Sequence, residues 1–183
     1  SSEPYEAKLI QSYIYDAIVD SDVDGVIGKF GLSPFTVNAL SISRTLCEKI
    51  MSLVRFSYGQ NPAKDLNNKI RHIYDIHQLL KNNELNEFFN SKEFDDMLMQ
   101  VATEDITSFK NNKNWIFAHP SEALIFSDVE GIWPKLSKTY NTDFSELVFS
   151  DLPAEKDIVT TLKKVAERML KIDWEIMPIN SNL

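Results

Sequence analysis

Apolar residues recur at the spacing of an amphipathic helix over most of this chain. The clearest stripe occupies positions i, i+4, i+7, i+11 and i+14 of one segment: Leu66, Ile70, Ile73, His77 and Leu80. This stripe predicts a long helix that begins near Pro62 and ends at Asn82. The same spacing predicts helices over residues 4–19, within 85–109 and over 154–174.

A different pattern marks residues 35–40, where apolar and polar side chains alternate after turn residues. Alternation with period two is typical of a short strand. A helix follows, and Thr45 and Glu48 fit the spacing of a capping box at its start. The sequence therefore predicts an α+β fold that is predominantly α-helical, with at most a remnant of sheet from this one strand.

The composition indicates a chain that can fold around a core. Of its 183 residues, 43% are hydrophobic and 11% are aromatic. No apolar run is long enough for a transmembrane helix, and the first residues lack the pattern of a secretory signal. The single cysteine, Cys47, fits a reducing compartment. We therefore expect a soluble, cytoplasmic protein with no membrane partner.

Charge is distributed unevenly along the chain. The whole sequence carries a formal net charge of −8, but residues 44–81 hold seven basic and three acidic side chains and are therefore +4. A surface that is negative overall repels polyanions unless positive charge is concentrated somewhere. Residues 44–81 are thus the expected place for an anionic ligand, although helix faces are often charged merely to stay solvated.

One segment resembles a calcium-binding loop. Asp20, Asp22 and Asp24 alternate and Gly25 stands at loop position six, as in an EF-hand. Position twelve should be a bidentate glutamate, and here it is Gly31. An acidic turn at a helix end is the simpler interpretation.

The histidines and the cysteine predict no metal or nucleophilic site. His72 and His77 are five residues apart on a predicted helix and point to different faces, so they do not form a zinc site with each other or with His119. His77 lies on the apolar stripe and is expected to be a hydrogen-bonded core residue. Cys47 is expected to be a small core residue.

Two charged residues occupy unusual positions. Lys49 falls between Leu53 and Phe56 at the edge of an apolar helix face, so its ammonium must either reach water or meet an anion, and the geometry alone favours water. Asp75 lies opposite the buried stripe of its helix, one turn after Arg71. An exposed Arg71–Asp75 pair at i, i+4 is the alternative to a functional role, and such a pair stabilises a helix by only about 0.3–0.5 kcal/mol.

Two runs in this part of the chain resemble a known family. Residues 35–53 carry a strand followed by an Arg-Thr-Leu-x-Glu-Lys helix, and residues 69–80 carry an Arg-x-x-Tyr-Asp helix. Both are similar to motifs of the AbiEii/AbiGii nucleotidyltransferase toxins. The likeness extends more loosely to Trp133, Tyr140, the Leu-Pro pair at 152–153 and the last helix.

The resemblance implies a nucleotidyltransferase that uses a nucleoside triphosphate to modify an acceptor such as RNA, restrained by a cognate antitoxin. It assigns Lys49 and Asp75 as catalytic residues: Lys49 would neutralise the triphosphate, and Asp75 would organise the nucleotide or the acceptor. Arg44 and Arg71 would join Lys49 in binding the nucleotide. Positioning and charge neutralisation are the main needs of such chemistry.

The chain departs from the family pattern in one respect. The family holds Mg²⁺ on an Asp-x-Asp pair that follows a Gly-Ser turn, and no such segment precedes residue 35. We therefore expect residues 1–60 to be a remnant of the nucleotidyltransferase lobe and 61–183 to be a C-terminal helical domain. Mg²⁺ is expected only for the intact parent, and this chain alone should be a poor enzyme without a tightly bound or specific metal site.

A non-catalytic helical interaction module derived from the family is the alternative to this interpretation. The two differ in the encoding gene. The enzyme is favoured if the gene has about 90 further codons upstream that encode Gly-Ser and Asp-x-Asp, a length taken from ordinary domain sizes. The interaction module is favoured if the start codon lies near residue 1.

Overall fold

The structure is a computed structural model that describes residues 5–21, 25–108 and 114–174. Within these ranges it consists mainly of helices, with one two-stranded sheet. The predicted α+β, predominantly helical fold class is confirmed. The chain divides into two compact units, with the boundary after Ser41.

The first unit contains the sheet and two short helices. Its elements are β1 (Tyr5–Ile10), α1 (Tyr13–Ile18), α2 (Val26–Lys29) and β2 (Phe35–Leu40). The strands are antiparallel, with Tyr5 opposite Leu40 and Ile10 opposite Phe35. The predicted strand at 35–40 is confirmed.

The prediction of one helix over residues 4–19 is wrong, because its first part is strand β1. Tyr5, Ala7 and Leu9 alternate with the polar Glu6 and Lys8, which is the period-two pattern of a strand. The helical spacing that we followed holds only for the residues after Gln11. Residues 5–10 form a strand because pairing with β2 supplies hydrogen-bond partners for their backbone groups.

The second unit is helical. Its α-helices are α3 (Ile42–Ser57), α4 (Pro62–Asn67), α5 (Ile70–Leu79), α6 (Asn83–Phe89), α7 (Lys92–Ser108), α8 (Leu124–Ser127), α9 (Val129–Asn141) and α10 (Glu155–Met169). Short 3-10 helices occupy Asn114–Phe117, Pro120–Glu122 and Ser145–Leu147.

Helix α3 is central to the second unit. It packs against α4, α5, α7 and α8, and six of its apolar side chains are completely buried: Leu46, Cys47, Ile50, Met51, Leu53 and Val54. The helix begins at Ile42, so Thr45 lies inside its first turn and the predicted capping box is wrong. The compact helical unit thus includes α3, whereas the division at residue 60 remains a prediction about the family's domains.

The single long helix predicted between Pro62 and Asn82 is interrupted. Helix α4 ends at Asn67, whose side-chain amide donates to the carbonyl oxygens of Ala63 and Lys135. Asparagine side chains that bond to the backbone compete with helix continuation. Helix α5 then starts after Lys69, which takes a non-helical conformation at its N-cap. The break brings the basic side chain of Lys69 to the end of α5 that lies beside α3.

The predicted C-terminal helix is confirmed as α10, although it ends at Met169. Near its start, Glu155 accepts a hydrogen bond from the Trp133 indole at 2.8 Å. The Tyr140 hydroxyl donates to the carbonyl oxygen of Pro153 at 2.8 Å. These bonds join α9 to the segment that leads into α10 and fix the connection between them, which forms part of the site described below.

Candidate functional site

Lys49 and Asp75 form an ion pair between α3 and α5. The Lys49 Nζ atom lies 2.7 Å from Asp75 Oδ2, and the two side chains are 20% and 23% exposed. The expected position of both residues on one side of the helix pair is confirmed. The Lys49 ammonium therefore meets an anion at the edge of the apolar face instead of extending into water.

Arg71 reaches the same carboxylate less closely. Its Nε atom is 3.9 Å from Asp75 Oδ2, and its side chain is 80% exposed. The i, i+4 pair that the sequence offered as the simple interpretation is therefore present. Arg71 retains most of its guanidinium surface for contact with an anion, whereas Lys49 is held in place by Asp75.

A groove opens along α3 beside this ion pair and has a volume of about 460 Å³. We call it the cationic groove, and its charged or polar lining residues are Arg44, Thr45, Glu48, Lys49, Ser52, Arg55, Lys69, His72, Glu104 and Asp105. Four of these carry positive charge and three carry negative charge. A volume in the range of about 300–1,000 Å³ is typical of small-molecule sites.

Most of the cations in the groove already have carboxylate partners. Arg44 is buried and pairs with Glu48 at 2.9 Å and with Glu104. Arg55 pairs with Asp105 at 2.7 Å. The hydrogen bond that Arg44 donates to Glu104 raises the pKa of the Arg44 guanidinium above its usual range. Arg44, which we predicted to bind nucleotide, therefore lies on the groove wall with its guanidinium engaged by helix α7.

Lys69 is a groove cation that the sequence did not single out. Among the residues that the structure describes, no carboxylate pairs with it, and its Nζ atom lies 4.5 Å from the centre of the Phe56 ring. A cation over an aromatic face is attracted by the ring electrons. The +4 charge of residues 44–81 indicated that a basic residue of this segment could bind an anion. It did not indicate Lys69 in particular, because only the break between α4 and α5 brings Lys69 to the groove.

His72 is held neutral on the groove wall. Its Nδ1 atom is buried and has no hydrogen-bond partner within the described ranges. Burial, together with the nearby positive charges of Lys49 and Lys69, lowers the pKa of the imidazole to about 4. The neutral imidazole therefore adds no positive charge to the groove.

A second cavity of about 460 Å³ lies on the other side of Asp75. We call it the aromatic pocket, and it is lined by Arg71, Tyr74, Asp75, Phe144, Leu147, Val148, Phe149 and Ser150. Tyr74 packs edge to face on Phe144, and Phe149 projects fully into solvent. Because Asp75 lines this pocket and contacts Lys49 of the groove, the two cavities adjoin across one ion pair.

The other residues considered from the sequence do not form a second site. His77 is buried and bonds through Nδ1 to the Thr161 hydroxyl at 2.7 Å, so its predicted core role is confirmed. His119 bonds to Ser121 and to the carbonyl oxygen of Ile172. Cys47 is a core residue as expected, and burial raises its pKa above the usual range of a thiol.

The described part of the chain does not gather a donor set for a divalent cation. No group of three histidine, cysteine or carboxylate side chains is close enough to hold a metal within 5–21, 25–108 and 114–174. Asp75, the carboxylate of the candidate site, is occupied by Lys49. The residues here thus do not fit Mg²⁺ by themselves. Asp22 and Asp24 of the calcium-like loop lie outside the described residues.

Comparison with protein families identifies the class. The model of the nucleotidyl transferase AbiEii toxin family, described as a type IV toxin-antitoxin system, matches residues 2–175. The chain therefore belongs to this family, as the two motifs indicated. Neither the curated proteins nor the solved structures give a significant match. No helix in the described ranges is long and apolar enough to cross a membrane.

Proposed function

We propose that this chain supplies the C-terminal half of a nucleotidyltransferase site, in which Lys49 binds the phosphates of a nucleoside triphosphate and Asp75 organises the reacting groups. The observation that supports it is the direct contact of these two side chains at the rim of the cationic groove. Membership of the AbiEii toxin family provides the reaction class.

The charges around the groove suit a polyphosphate. Lys49 and Lys69 present ammonium groups from α3 and from the start of α5. Compact ammonium charges bind phosphate oxygens as point charges, and they need no fixed geometry. In this proposal Arg71 contacts the nucleotide from its exposed position. The assignment of Arg44 to direct nucleotide binding stays a prediction, because its two carboxylate partners would have to be displaced.

The proposed reaction joins a nucleoside monophosphate to an acceptor hydroxyl. The hydroxyl loses its proton to solvent water, its oxygen bonds to the α-phosphorus, and the bond from the α-phosphorus to the bridging oxygen breaks so that pyrophosphate leaves. Asp75 accepts a hydrogen bond from a hydroxyl at the rim, and Lys49 fixes the Asp75 carboxylate. The proposed acceptor is RNA. In this proposal the protein acts in the cytoplasm, where a cognate antitoxin restrains it.

Magnesium in this proposal belongs to the Asp-x-Asp segment of the intact parent. The lone carboxylate of Asp75 does not supply the ligands of an octahedral Mg²⁺ ion. The contribution of this chain is therefore positive charge from side chains, together with positioning, both of which matter in phosphoryl and nucleotidyl transfer.

The test compares variants of the intact parent in a growth assay. We expect Lys49→Ala and Asp75→Ala each to abolish toxicity while the helical circular dichroism stays unchanged. Lys92→Ala is the matched control, since Lys92 is also an ion-paired lysine but is 74% exposed and lies away from the groove. Full toxicity in either site variant would return Lys49 and Asp75 to the role of a structural ion pair.

A further inference from the structure

We propose that the aromatic pocket binds the base of the same nucleoside triphosphate whose phosphates lie in the cationic groove. This inference rests on the proposed function and adds a base-binding subsite to it. The pocket is next to the groove because Asp75 lines the one and contacts Lys49 of the other. A ligand with a flat apolar end and an anionic end could therefore occupy both cavities at once.

The lining of the pocket suits a planar base. Phe149 is fully exposed and stands at the edge of the pocket, while Tyr74 and Phe144 form an edge-to-face pair in its wall. Bases stack on exposed aromatic side chains regardless of sequence, since each base has a π face. Leu147 and Phe149 are both largely exposed and line the same pocket, and neighbouring exposed apolar side chains, unlike isolated ones, mark a binding surface.

Polar groups stand at the end of the pocket that faces the groove. Arg71 and Asp75 provide a donor and an acceptor there. A ribose between base and phosphates carries hydroxyl groups that could bond to Asp75, and the exposed Arg71 guanidinium can contact a phosphate oxygen. The aromatic wall would thus contact the base, Arg71 and Asp75 would lie beside the ribose, and the cationic groove would hold the phosphates.

The charge around the pocket favours a single nucleotide over a nucleic acid strand. Asp143, Glu146 and Asp151 are exposed in the segment that forms the pocket, and the chain as a whole is at −8. A nucleic acid strand that left the pocket would place one phosphate per nucleotide close to these carboxylates, and the like charges would repel. A mononucleotide places its phosphates on the opposite side, toward Lys49.

The experiment measures the affinity of the full 183-residue chain for three probes by calorimetry. The probes are ATP, inorganic tripolyphosphate, which has the anion without a base, and a short single-stranded oligoribonucleotide. We expect Phe149→Ala to weaken ATP binding by about 5- to 150-fold, the range that follows from one base–aromatic stack, and to leave tripolyphosphate binding unchanged. Lys49→Ala should weaken both.

Two further variants separate stacking from general apolarity and from surface effects. Phe149→Tyr keeps the ring and should retain ATP affinity, whereas Phe149→Leu should lose it. Phe117→Ala is the matched control, since Phe117 is 79% exposed in the 3-10 helix Asn114–Phe117 and lines neither cavity. Its affinity for ATP should equal that of the wild type.

The outcomes distinguish failure of this inference from failure of the proposed function. If Lys49→Ala weakens ATP and tripolyphosphate but Phe149→Ala weakens neither, the base site is wrong and the phosphate site stands. If Phe149→Ala weakens only the oligoribonucleotide, the pocket belongs to an acceptor strand and the inference is overturned. If tripolyphosphate binds equally well to Lys49→Ala, the phosphate role of Lys49 is refuted. Absence of ATP binding to the wild-type chain overturns the inference.

Discussion

The ion pair between Lys49 and Asp75 can be tested against a control that the same carboxylate provides. Asp75 lies 2.7 Å from Lys49 and 3.9 Å from Arg71. Two double-mutant cycles share the substitution Asp75→Asn, one combined with Lys49→Met and the other with Arg71→Met. Each cycle isolates one pairwise coupling energy, because the effects of the single substitutions cancel.

The geometry sets the expected magnitudes. Two unit charges about 4 Å apart attract by about 4 kcal/mol at an effective dielectric constant of about 20. Because both Lys49 and Asp75 are largely removed from water, desolvation offsets much of this attraction. We therefore expect a coupling of about 1–2 kcal/mol for this pair. The Arg71 side chain is 80% exposed, so its coupling should lie within about 0–0.5 kcal/mol.

The assay is urea unfolding of the chain followed by far-ultraviolet circular dichroism, with the wild type and all single and double variants at one pH and salt concentration. Raised salt should reduce the Arg71–Asp75 coupling by a larger fraction than the Lys49–Asp75 coupling, since exposed ion pairs are screened more strongly. Equal couplings for the two cations, or a Lys49 coupling near zero, would contradict the account of Lys49 as a preorganised, part-buried charge.

Three further predictions concern residues around the site and in its support. The folded chain holds the pKa of His72 near 4 against an ordinary 6.5, so below about pH 6.5 the unfolded chain takes up a proton that the folded chain does not. The free energy of unfolding should therefore fall by about 1–2 kcal/mol as the pH is lowered from 6.5 to 4, a value reduced because His72 is partly exposed. Urea unfolding at several pH values should show this dependence in the wild type and lose it in His72→Gln. The same pH dependence in both proteins would refute the prediction. Tyr140→Phe loses the bond to the Pro153 carbonyl and should lower stability by about 1 kcal/mol in thermal unfolding; no loss of stability would speak against that bond. Arg168→Met leaves Asp95 with only the exposed Lys92, at 3.8 Å, as a cation, and removes hydrogen bonds to the Phe89 and Ser91 carbonyl oxygens. It should cost about 2–4 kcal/mol in urea unfolding; a loss under about 1 kcal/mol would mean that the pair is solvated.

The sequence predicted the helices whose apolar stripe is regular. The stripe that includes Ile73 and His77 is buried in α5, and the final helix packs as its spacing indicated. Because helix geometry fixes which residues share a face, the same pattern placed Asp75 away from the core and Lys49 at its edge. Local periodicity was enough to expect that these two side chains lie on one side of the helix pair.

The sequence did not predict features that depend on contacts between distant segments. Strand β1 exists because β2 pairs with it, and the end of α4 depends on a bond from Asn67 to α9. The engagement of Arg44 by Glu104 joins residues sixty positions apart. The aromatic pocket was missed for the same reason, since Phe149 and its neighbours reach Asp75 only through the packing of the segment after α9.

The most direct test of the central claim is a transfer assay with the full-length protein that contains this sequence and an α-labelled nucleoside triphosphate. The account holds that Lys49 and Asp75 act as one unit. We expect Lys49→Ala and Asp75→Ala each to reduce the transfer rate by about 100-fold or more, and the double variant to lose little beyond the worse of the two, because residues that act together are strongly non-additive. A wild-type rate in either single variant, or losses that multiply in the double variant, would contradict the claim.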